Sequence, residues 1–568
     1  MSGRIRRIIS EQISQHVKQN NVSWRLEVPA RKSEFGASLQ IALNDKYDGD
    51  LLKAIPNIRF NSKVVQDVRI HRSAGKSPTK FEFLLTPQAF LEDVLQRPVS
   101  SLQYQANTQS QIVIEFSSPN IAKPFHVGHL RSTIIGNVLS NLYRHLGYQV
   151  ANLNYLGDWG TQLGLLQVGV EMMGLTDEKM RQQPIECLYR AYVAANTAAI
   201  SDPVIAIKAR QYFTELEKGS NTDIIEQWQK YRQYTVAELE KVYARLGVNF
   251  DQYDWESQYS QANIVDVLHQ LMKKSLLLDE QDGRKVVHVD GRRVPIIKSD
   301  GSTLYLARDI AALLDRLQRF NFDRILYVVD NAQTDHFNAC FKTATALCEK
   351  LPSEKMLHVK FGRIRGMSTR SGNAVFLRDL LDEAREIMLE KQLQSSTTKV
   401  LLDGDANKEV ADVLGVSAVI VNDLKQRRQR DYDFDWNKAL QMNGDTGIKL
   451  QYTHCRLSNM LEKTAGIETT DVLPRIEHLT EPEAQDLLMK IARFEQTIWK
   501  STELLEACVL VNYLFALCNS TSRAIKRLNV KHETCLSIQQ NRILLFKAAQ
   551  KTLSKGMQIL GLKPLKKM

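Results

Sequence analysis

Glu115-Phe-Ser-Ser-Pro-Asn-Ile-Ala-Lys-Pro-Phe-His-Val-Gly-His-Leu-Arg131 joins a β-like run, a proline-bearing loop and the opening of an amphipathic helix. Residues 111–116 (QIVIEF) have the β-branched and aromatic character of a strand. From Leu130 the apolar residues Ile134, Ile135, Val138, Leu139, Leu142 and Leu146 recur at helical spacing until Gly147 stops the helix. His126 and His129 therefore fall on the first helical turn. Free backbone N–H groups and the positive end of the helix dipole attract phosphate there. Gly128 lets a nucleotide approach the backbone, and two imidazoles three residues apart share one face as donors. The pattern points to nucleotide chemistry. Taken alone, it also fits a capped helix carrying two surface histidines.

Outward from this stretch the chain alternates. A second strand is expected over residues 148–155, closing at Gly157-Asp-Trp-Gly160, and strand–helix–strand alternation implies a parallel sheet with ligands beyond the carboxyl ends of its strands. Residues 165–275 are mostly helical and polar, too long for a connection, and are expected to be an insertion. The sheet pattern is expected to resume at residues 293–298, followed by a helix over 305–320, a strand over 324–330, a helix over 333–351 and a strand over 356–364. After Gly366-Met-Ser-Thr-Arg-Ser-Gly372 the chain reads as helical to its end. Residues 1 to about 100 give a helix (5–18), strands (38–43 and 80–85) and a turn (73–78), a small α+β module. The expected division is a module over 1–105, a catalytic domain over 106–375, a helical connecting segment over 376–432 and an all-α domain over 433–568.

The 568 residues exceed what one hydrophobic core supports, so several units are expected, and a monomer would be viable. A formal net charge of +11 suits a polyanion partner, although charged residues at 24% are ordinary. Its placement says more. Lys547, Lys551, Lys555, Lys563, Lys566 and Lys567 occur without an intervening acid, and Lys425-Gln-Arg-Arg-Gln-Arg430 is a second basic cluster. A solvated helix face is the alternative for each. Seven cysteines without a Cys-x-x-Cys pair argue against a disulfide framework and a zinc ribbon, and for a reducing compartment. Cys340 and Cys348 fall in an apolar helical pattern and are expected in a core. No apolar run is long enough to span a membrane. The first ten residues alternate Arg with Ile and lack acid, which fits an organelle transit peptide and equally a basic helix. A P-loop fails because Ile70 stands where Gly75-Lys-Ser77 would need an earlier glycine. A zinc peptidase fails because Leu536 replaces the second histidine after His532-Glu533.

His126-Val-Gly-His129 resembles the first signature of class I aminoacyl-tRNA synthetases, and Met367-Ser-Thr-Arg-Ser-Gly372 resembles the arginyl form of the second. The phrases from Ser117 to Gly136, from Tyr155 to Gln162, from Leu304 to Asp309 and from Gly444 to His454 occur in the order and spacing of the arginyl-tRNA synthetases. The resemblance covers most of the chain. It implies a Rossmann-like class I catalytic domain, a C-terminal helical domain that reads the anticodon, and an N-terminal module that touches the tRNA elbow. It also implies ATP accompanied by Mg²⁺, an arginyl-adenylate intermediate, and L-arginine and tRNA(Arg) as partners.

The chemistry needs donors for the charge growing on the α-phosphate and a countercharge on the departing pyrophosphate. His126 and His129 suit the first need; Ser368, Thr369 and Arg370 suit the second. Gly366 and Ser371 stand where the commonest signature has lysines, and the resemblance implies that Lys123 stands in for the missing loop lysine. His126, Gly128, His129, Met367 and His336 are the ATP-side candidates. A guanidinium pocket wants carboxylates and at least one neutral acceptor. By resemblance, Glu115 and Asp309 face the guanidinium beside Tyr305, while Ser118, Pro119, Asn120, His129 and Gln333 hold the α-amino and carboxylate end. Tyr305 and Asp309 are four apart and can share a pocket; the alternative for Asp309 is a salt bridge to Arg308. Tyr452, Arg456 and Lys563 are the tRNA-contact candidates, with core packing the alternative for Tyr452. The C-terminal wording, Ser371 and the Arg/Ile-rich start are more similar to animal mitochondrial forms than to cytosolic ones. The expected setting is the mitochondrial matrix, with the cytoplasm as the alternative, and a monomer free of membrane. A small-molecule nucleotidylyltransferase would leave the helical C-terminal part and the Tyr305/Asp309 pair unexplained. A catalytically silent RNA-binding relative would be favoured by loss of either histidine, and both are present.

Overall fold

The computed structural model describes residues 3–16, 26–28, 38–42, 49–71, 80–96, 110–121, 123, 125–219, 221–259, 261–367, 376–394, 404–441 and 444–568. The turn expected at 73–78 and the loop residues Ser368, Thr369 and Arg370 lie outside them.

Five strands form the central sheet: β1 (Gln111–Glu115), β2 (Gln149–Leu156), β3 (Gln252–Trp255), β4 (Arg324–Tyr327) and β5 (Met356–His358). Every pairing is parallel and the order is β5-β4-β1-β2-β3. The chain moves from β1 outward through β2 to β3, then crosses to the other side of β1 for β4. Beyond the carboxyl ends of β1 and β4 the connections part in opposite directions and leave a crevice, the position where open α/β sheets bind ligands.

The pleat of β1 settles what faces what. Ile112, Ile114 and Phe116 point into the core that contains helix α1 (Val127–His145), whereas Val113 points to the opposite core, built on helices α2 (Tyr305–Phe320) and α3 (Thr334–Leu347). Glu115 has the parity of Val113 and is thereby aimed toward α2. Helix α1 packs against β1 closely enough that a Cβ on Gly136 would meet the Phe116 ring at 2.2 Å.

Two expectations for the sheet domain need correction. The stretch 165–275 is mostly helical as expected, but it is not all insertion: Gln252–Trp255 pairs with β2 as the sheet's edge strand, so the helical run before it ends with Thr222–Arg245. Four residues reading Gln-Tyr-Asp-Trp are too short and polar to show a period-2 signal. The strand at Arg292–Ile297 does not resume the main sheet but closes an antiparallel sheet with Leu277–Asp279 and Lys285–Val289. Alternation marks a strand without naming its partner, and here the hairpin delivers the chain directly to α2, with Leu304 N–H bonded to the Ile296 carbonyl at 2.8 Å.

The N-terminal module is a three-stranded antiparallel sheet, Ser38–Ala42, Lys80–Leu85 and Val65–His71 in that order, flanked by helices Gly3–Ser14 and Pro87–Leu95. Val65–His71 went unread because its exposed face carries Gln66, Asp67 and Arg69. Ile5, Ile9 and Ile13 of the first helix are buried, and Arg6 faces Glu495 at 3.8 Å, so the Arg/Ile stretch is a built-in helix of the module.

C-terminal to the sheet domain, helices Leu377–Gln394 and α4 (Gly404–Leu424) precede a short strand, Tyr432–Asp433, which pairs in parallel with Ile364–Arg365. A bundle of five longer helices follows, beginning with α5 (Gly447–Lys463) and ending with Leu536–Ile559. Its core is continuous with that of α1 and of the N-terminal module. The chain end folds back on α5: Gln451 Nε2 donates to the Lys563 carbonyl at 2.9 Å, and His454 Nδ1 lies 2.6 Å from the Leu565 carbonyl. No described helix is long and apolar enough to cross a membrane. All seven cysteines are free; Cys340 is buried in the core, and Cys348 is half-buried at the end of α3.

Candidate active site

His126 is the N-cap of α1. Its Nδ1 accepts from the Gly128 N–H at 3.0 Å, and His129 Nδ1 accepts from the His126 N–H at 3.3 Å, a capping box built from two imidazoles. A ring whose Nδ1 accepts must carry its proton on Nε2 when neutral. Each imidazole is therefore fixed in the tautomer that leaves an Nε2–H free to donate.

Burial first, then His126 and Lys123, push His129 down to about 3, and burial followed by the Lys123 charge lowers His126. Phe125 stacks on His129 with ring centroids 5.3 Å apart, holding the ring plane. A Cβ at Gly128 would sit 2.7 Å from the His126 ring, so the glycine keeps the cap closed. Lys123 lies over the Tyr192 ring at 5.9 Å, and burial lowers its pKa. Met367 is buried.

The loop between β1 and α1 is held in an unusual backbone shape. Ser117 and Ser118 adopt φ of 75° and 46°, a left-handed region costly for residues other than glycine. The surrounding bonds fix it. Ser117 N–H donates to Ser132 Oγ at 2.9 Å, Ser118 N–H to Asn154 Oδ1 at 3.0 Å, and Ser117 Oγ meets the Tyr243 hydroxyl at 2.8 Å. Further along, Asn120 bridges Gly157, where Ile121 N–H bonds the Gly157 carbonyl at 2.9 Å. A Cβ on Gly157 would fall 2.0 Å from Asn120 Oδ1. Pro119 accepts from the Gly157 N–H at 3.2 Å. The loop carrying Ser118, Pro119 and Asn120 is thus zipped to the end of β2.

Below this loop lies a buried network of carboxylates and arginines. Glu115 is buried; its Oε1 accepts from Ser118 Oγ at 2.6 Å and its Oε2 pairs with Arg316 Nη1 at 3.3 Å. Burial raises its pKa despite Arg316. Arg316, one of the most deeply buried side chains, also pairs with Asp254 at 3.0 Å and donates to the Tyr327 hydroxyl at 3.1 Å. Asp254 further binds Arg319 at 2.8 Å, and Arg308 binds Glu256 at 2.6 Å, so Arg308 does not take Asp309.

Asp309 has no cationic side chain beside it among the described residues; its Oδ2 lies 2.6 Å from His336 Nε2. The structure therefore sets His336 on the carboxylate of Asp309. Glu115, Tyr155, Glu256 and Cys340 all feel the Asp309 charge, which raises the pKa of each. Tyr305, one turn before Asp309, is 69% exposed at the rim, and Gln333 is exposed where the chain enters α3. His126, His129, Glu115, Ser118, Asn120 and Asp309 are thus all carried by β1, the loop after it and the first turns of α1 and α2.

Arg316, Asp254, Tyr155 and Arg131 were not singled out from the sequence. Arg316 sits seven residues after Asp309, on the same face of α2, and that spacing was the available signal. Arg131 is buried on α1, two residues past His129. Its Nη1 donates to the carbonyls of Gly362 and Arg430 at 2.6 and 2.7 Å, its Nη2 to that of Arg427 at 3.3 Å, and its Nε faces Asp423 at 3.1 Å. Part of the basic cluster 425–430 is accordingly a seam: Arg428 donates to the carbonyls of Leu505 and Lys360 and is half-buried, while Arg427 and Arg430 are exposed. Of the tRNA-contact candidates, Tyr452 is 54% exposed, Arg456 is half-buried and Lys563 pairs with Glu409 at 2.7 Å on the surface.

A family model described as tRNA synthetases class I (R), catalytic domain, matches residues 91–436, and one described as DALR anticodon binding domain matches residues 450–568. A Homo sapiens protein named probable arginine–tRNA ligase, mitochondrial, is 36% identical over 583 residues, covering 99% of each chain. The chain belongs to the arginyl-tRNA synthetase family. Another relative of this synthetase, the mitochondrial arginine–tRNA ligase of Saccharomyces cerevisiae, is 36% identical and covers 92% of this chain and 84% of its own. A probable cytoplasmic arginine–tRNA ligase of Dictyostelium discoideum is 37% identical over 86% of both. Among solved structures, the arginyl-tRNA synthetase of Thermus thermophilus aligns with a TM-score of 0.80 at 21% identity over 99% of this chain and 100% of its own. That of Plasmodium falciparum aligns at 0.74 and 23% over 100% and 99%. At these identities the likeness speaks for the shared fold of this synthetase.

Proposed function

We propose that this arginine–tRNA ligase activates L-arginine with ATP in the crevice above β1 and β4, and serves mitochondrial translation. The arginine carboxylate attacks the α-phosphorus of ATP, pyrophosphate departs, and arginyl-adenylate forms. A ribose hydroxyl at the 3′ end of tRNA(Arg) then attacks the arginyl carbonyl and AMP leaves. The observation that carries this reading is the pair of tautomer-fixed imidazoles at the N-terminus of α1. Their Nε2–H groups and the helix dipole supply preorganised donors for charge growing on the α-phosphate.

Lys123 adds the nearby cation in the role of the absent loop lysine, with Ser368, Thr369 and Arg370 from the loop after Met367 on the pyrophosphate side. Asp309 receives the guanidinium under Tyr305, and Glu115, held by Arg316 and Ser118, lies in the network beneath it. Ser118, Asn120 and Gln333 hold the α-amino and carboxylate end. No group of three metal-ligating side chains forms among the described residues, and Mg²⁺ on this reading arrives on the ATP phosphates. Tyr452, Arg456 and Lys563 present stacking and phosphate-binding groups to tRNA from the C-terminal bundle. All three parts of the chain pack on one another, which supports a working monomer. The mitochondrial assignment rests on the named relatives.

His129→Ala should lower arginine-dependent ATP–pyrophosphate exchange, measured with tRNA present, by about 100-fold or more. Full exchange in the folded variant refutes the role. Charging of labelled arginine onto mitochondrial and, separately, cytosolic tRNA tests the compartment: preference for cytosolic tRNA refutes the mitochondrial reading.

A further inference from the structure

Beside the Arg316 network, within reach of the Asp309 charge, one buried hydroxyl lacks a hydrogen bond among the described residues. Tyr155, near the end of β2, has its hydroxyl oxygen shut away from solvent without a hydrogen-bond partner among the described residues. The ring is fixed on two sides: the Arg316 guanidinium lies over it at 4.8 Å, and Tyr259 meets it edge-on at 6.1 Å between centroids. Buried hydroxyls in native proteins are nearly always bonded, so an orphan in a ligand crevice marks a place where a ligand atom completes the site.

The neighbouring charges say which ligand atom. Glu115 is committed to Arg316 and Ser118, Asp254 to Arg316 and Arg319, and Glu256 to Arg308. Of these carboxylates, all among the described residues, Asp309, held by the His336 imidazole and by no arginine or lysine, is the one left to take an incoming cation. One carboxylate cannot satisfy all five N–H groups of a guanidinium, and a neutral oxygen must take another. Burial and then the Asp309 charge keep the Tyr155 hydroxyl un-ionised, a neutral oxygen able to accept.

We infer that Tyr155 is a specificity-determining residue of the arginine site, its buried hydroxyl accepting an N–H of the same guanidinium that pairs with Asp309. This rests on the reading of Asp309 given above. Arg316 acts beneath it as a fixed guanidinium that holds the tyrosine ring in place and occupies Glu115. A lysine ammonium, a point charge shorter than the fork, would pair with Asp309 and leave the hydroxyl unbonded.

Tyr155→Phe removes the hydroxyl alone and tests the proposal in the full-length enzyme by tRNA charging at varied arginine and ATP. KM for arginine should rise by about 10-fold or more, the scale of losing a hydrogen bond to a charged group. KM for ATP should hold. Because the hydroxyl bonds no side chain or backbone group among the described residues, the thermal unfolding midpoint should stay or rise. An unchanged KM for arginine, or a lowered midpoint with both KM values raised equally, overturns the proposal. Asp309→Asn is run alongside. If it leaves the arginine KM unmoved, the reading of the pocket fails; if it raises that KM while Tyr155→Phe does not, only the role of Tyr155 fails.

Discussion

Arg131→Met removes one cation from a buried cluster of a carboxylate and three carbonyls. The side chain keeps its approximate length and loses its charge and donors. What remains is the Asp423 carboxylate, 1% exposed, without the cation that faced it at 3.1 Å. The carbonyls of Gly362, Arg430 and Arg427 lose the guanidinium at the same time. Breaking a buried ion pair costs about 3–5 kcal/mol, and an orphaned buried carbonyl about 1–3 kcal/mol. These terms are not additive, because one group makes all the contacts. Burial already raises the Asp423 pKa, so the variant can shed part of the cost by protonating it. A loss of at least about 3 kcal/mol is expected near neutral pH, shrinking as the pH is lowered. Urea unfolding of the full-length protein, followed by tryptophan fluorescence, measures it.

The double variant Arg131→Met with Asp423→Leu removes the stranded charge and should be more stable than the single one. Because Arg131 pins the segment leading through Ile364–Arg365 to Met367, arginine-dependent pyrophosphate exchange should fall in kcat while KM for arginine holds. A loss under about 1 kcal/mol, or a double variant no more stable than the single, refutes the reasoning.

Asp309→Asn should raise KM for arginine about 30-fold or more with little change in KM for ATP, since a neutral amide cannot replace the one open carboxylate; equal changes assign Asp309 to structure. Gly157→Ala, with its Cβ 2.0 Å from Asn120 Oδ1, should displace Asn120 and impair arginine charging in an otherwise folded enzyme, as followed by KM for arginine and circular dichroism. His145 and His358 are held down to about 4 by burial, against an ordinary value of 6.5. The unfolded chain therefore takes up more protons below pH 6.5, and the stability these neutral rings contribute is lost as the pH falls from 6.5 toward 4. Urea midpoints at pH 7.5 and 5 should differ accordingly, with a smaller difference in His145→Leu.

The helix expected after Gly128 and the strand QIVIEF were legible because each is long enough to show its own period, and both appear where the pattern put them. The histidines were equally legible, because a helix N-terminus places its first-turn side chains by local geometry alone. Gln252–Trp255 was not, since its membership in the sheet comes from pairing with β2 across the whole insertion. Arg292–Ile297 showed the right period and went to a different sheet, because period 2 does not encode a partner. The basic cluster 425–430 was legible as charge, but not that Arg428 leaves the exposed Arg427 and Arg430 to enter a seam: whether a guanidinium meets water or carbonyls depends on what the fold brings against it.

By itself the sequence determined the local chemistry: two imidazoles at a helix start beyond a strand, a carboxylate one turn after a tyrosine, a helical C-terminal half and the family to which these phrases belong. Tertiary structure alone decided how the charges are shared. Glu115 faces Arg316 because the pleat of β1 and the face of α2 meet there, which leaves Asp309 open and the Tyr155 hydroxyl unbonded. Electrostatic energy depends on distances between groups far apart in the chain and on the water excluded between them, and neither is written in the order of residues.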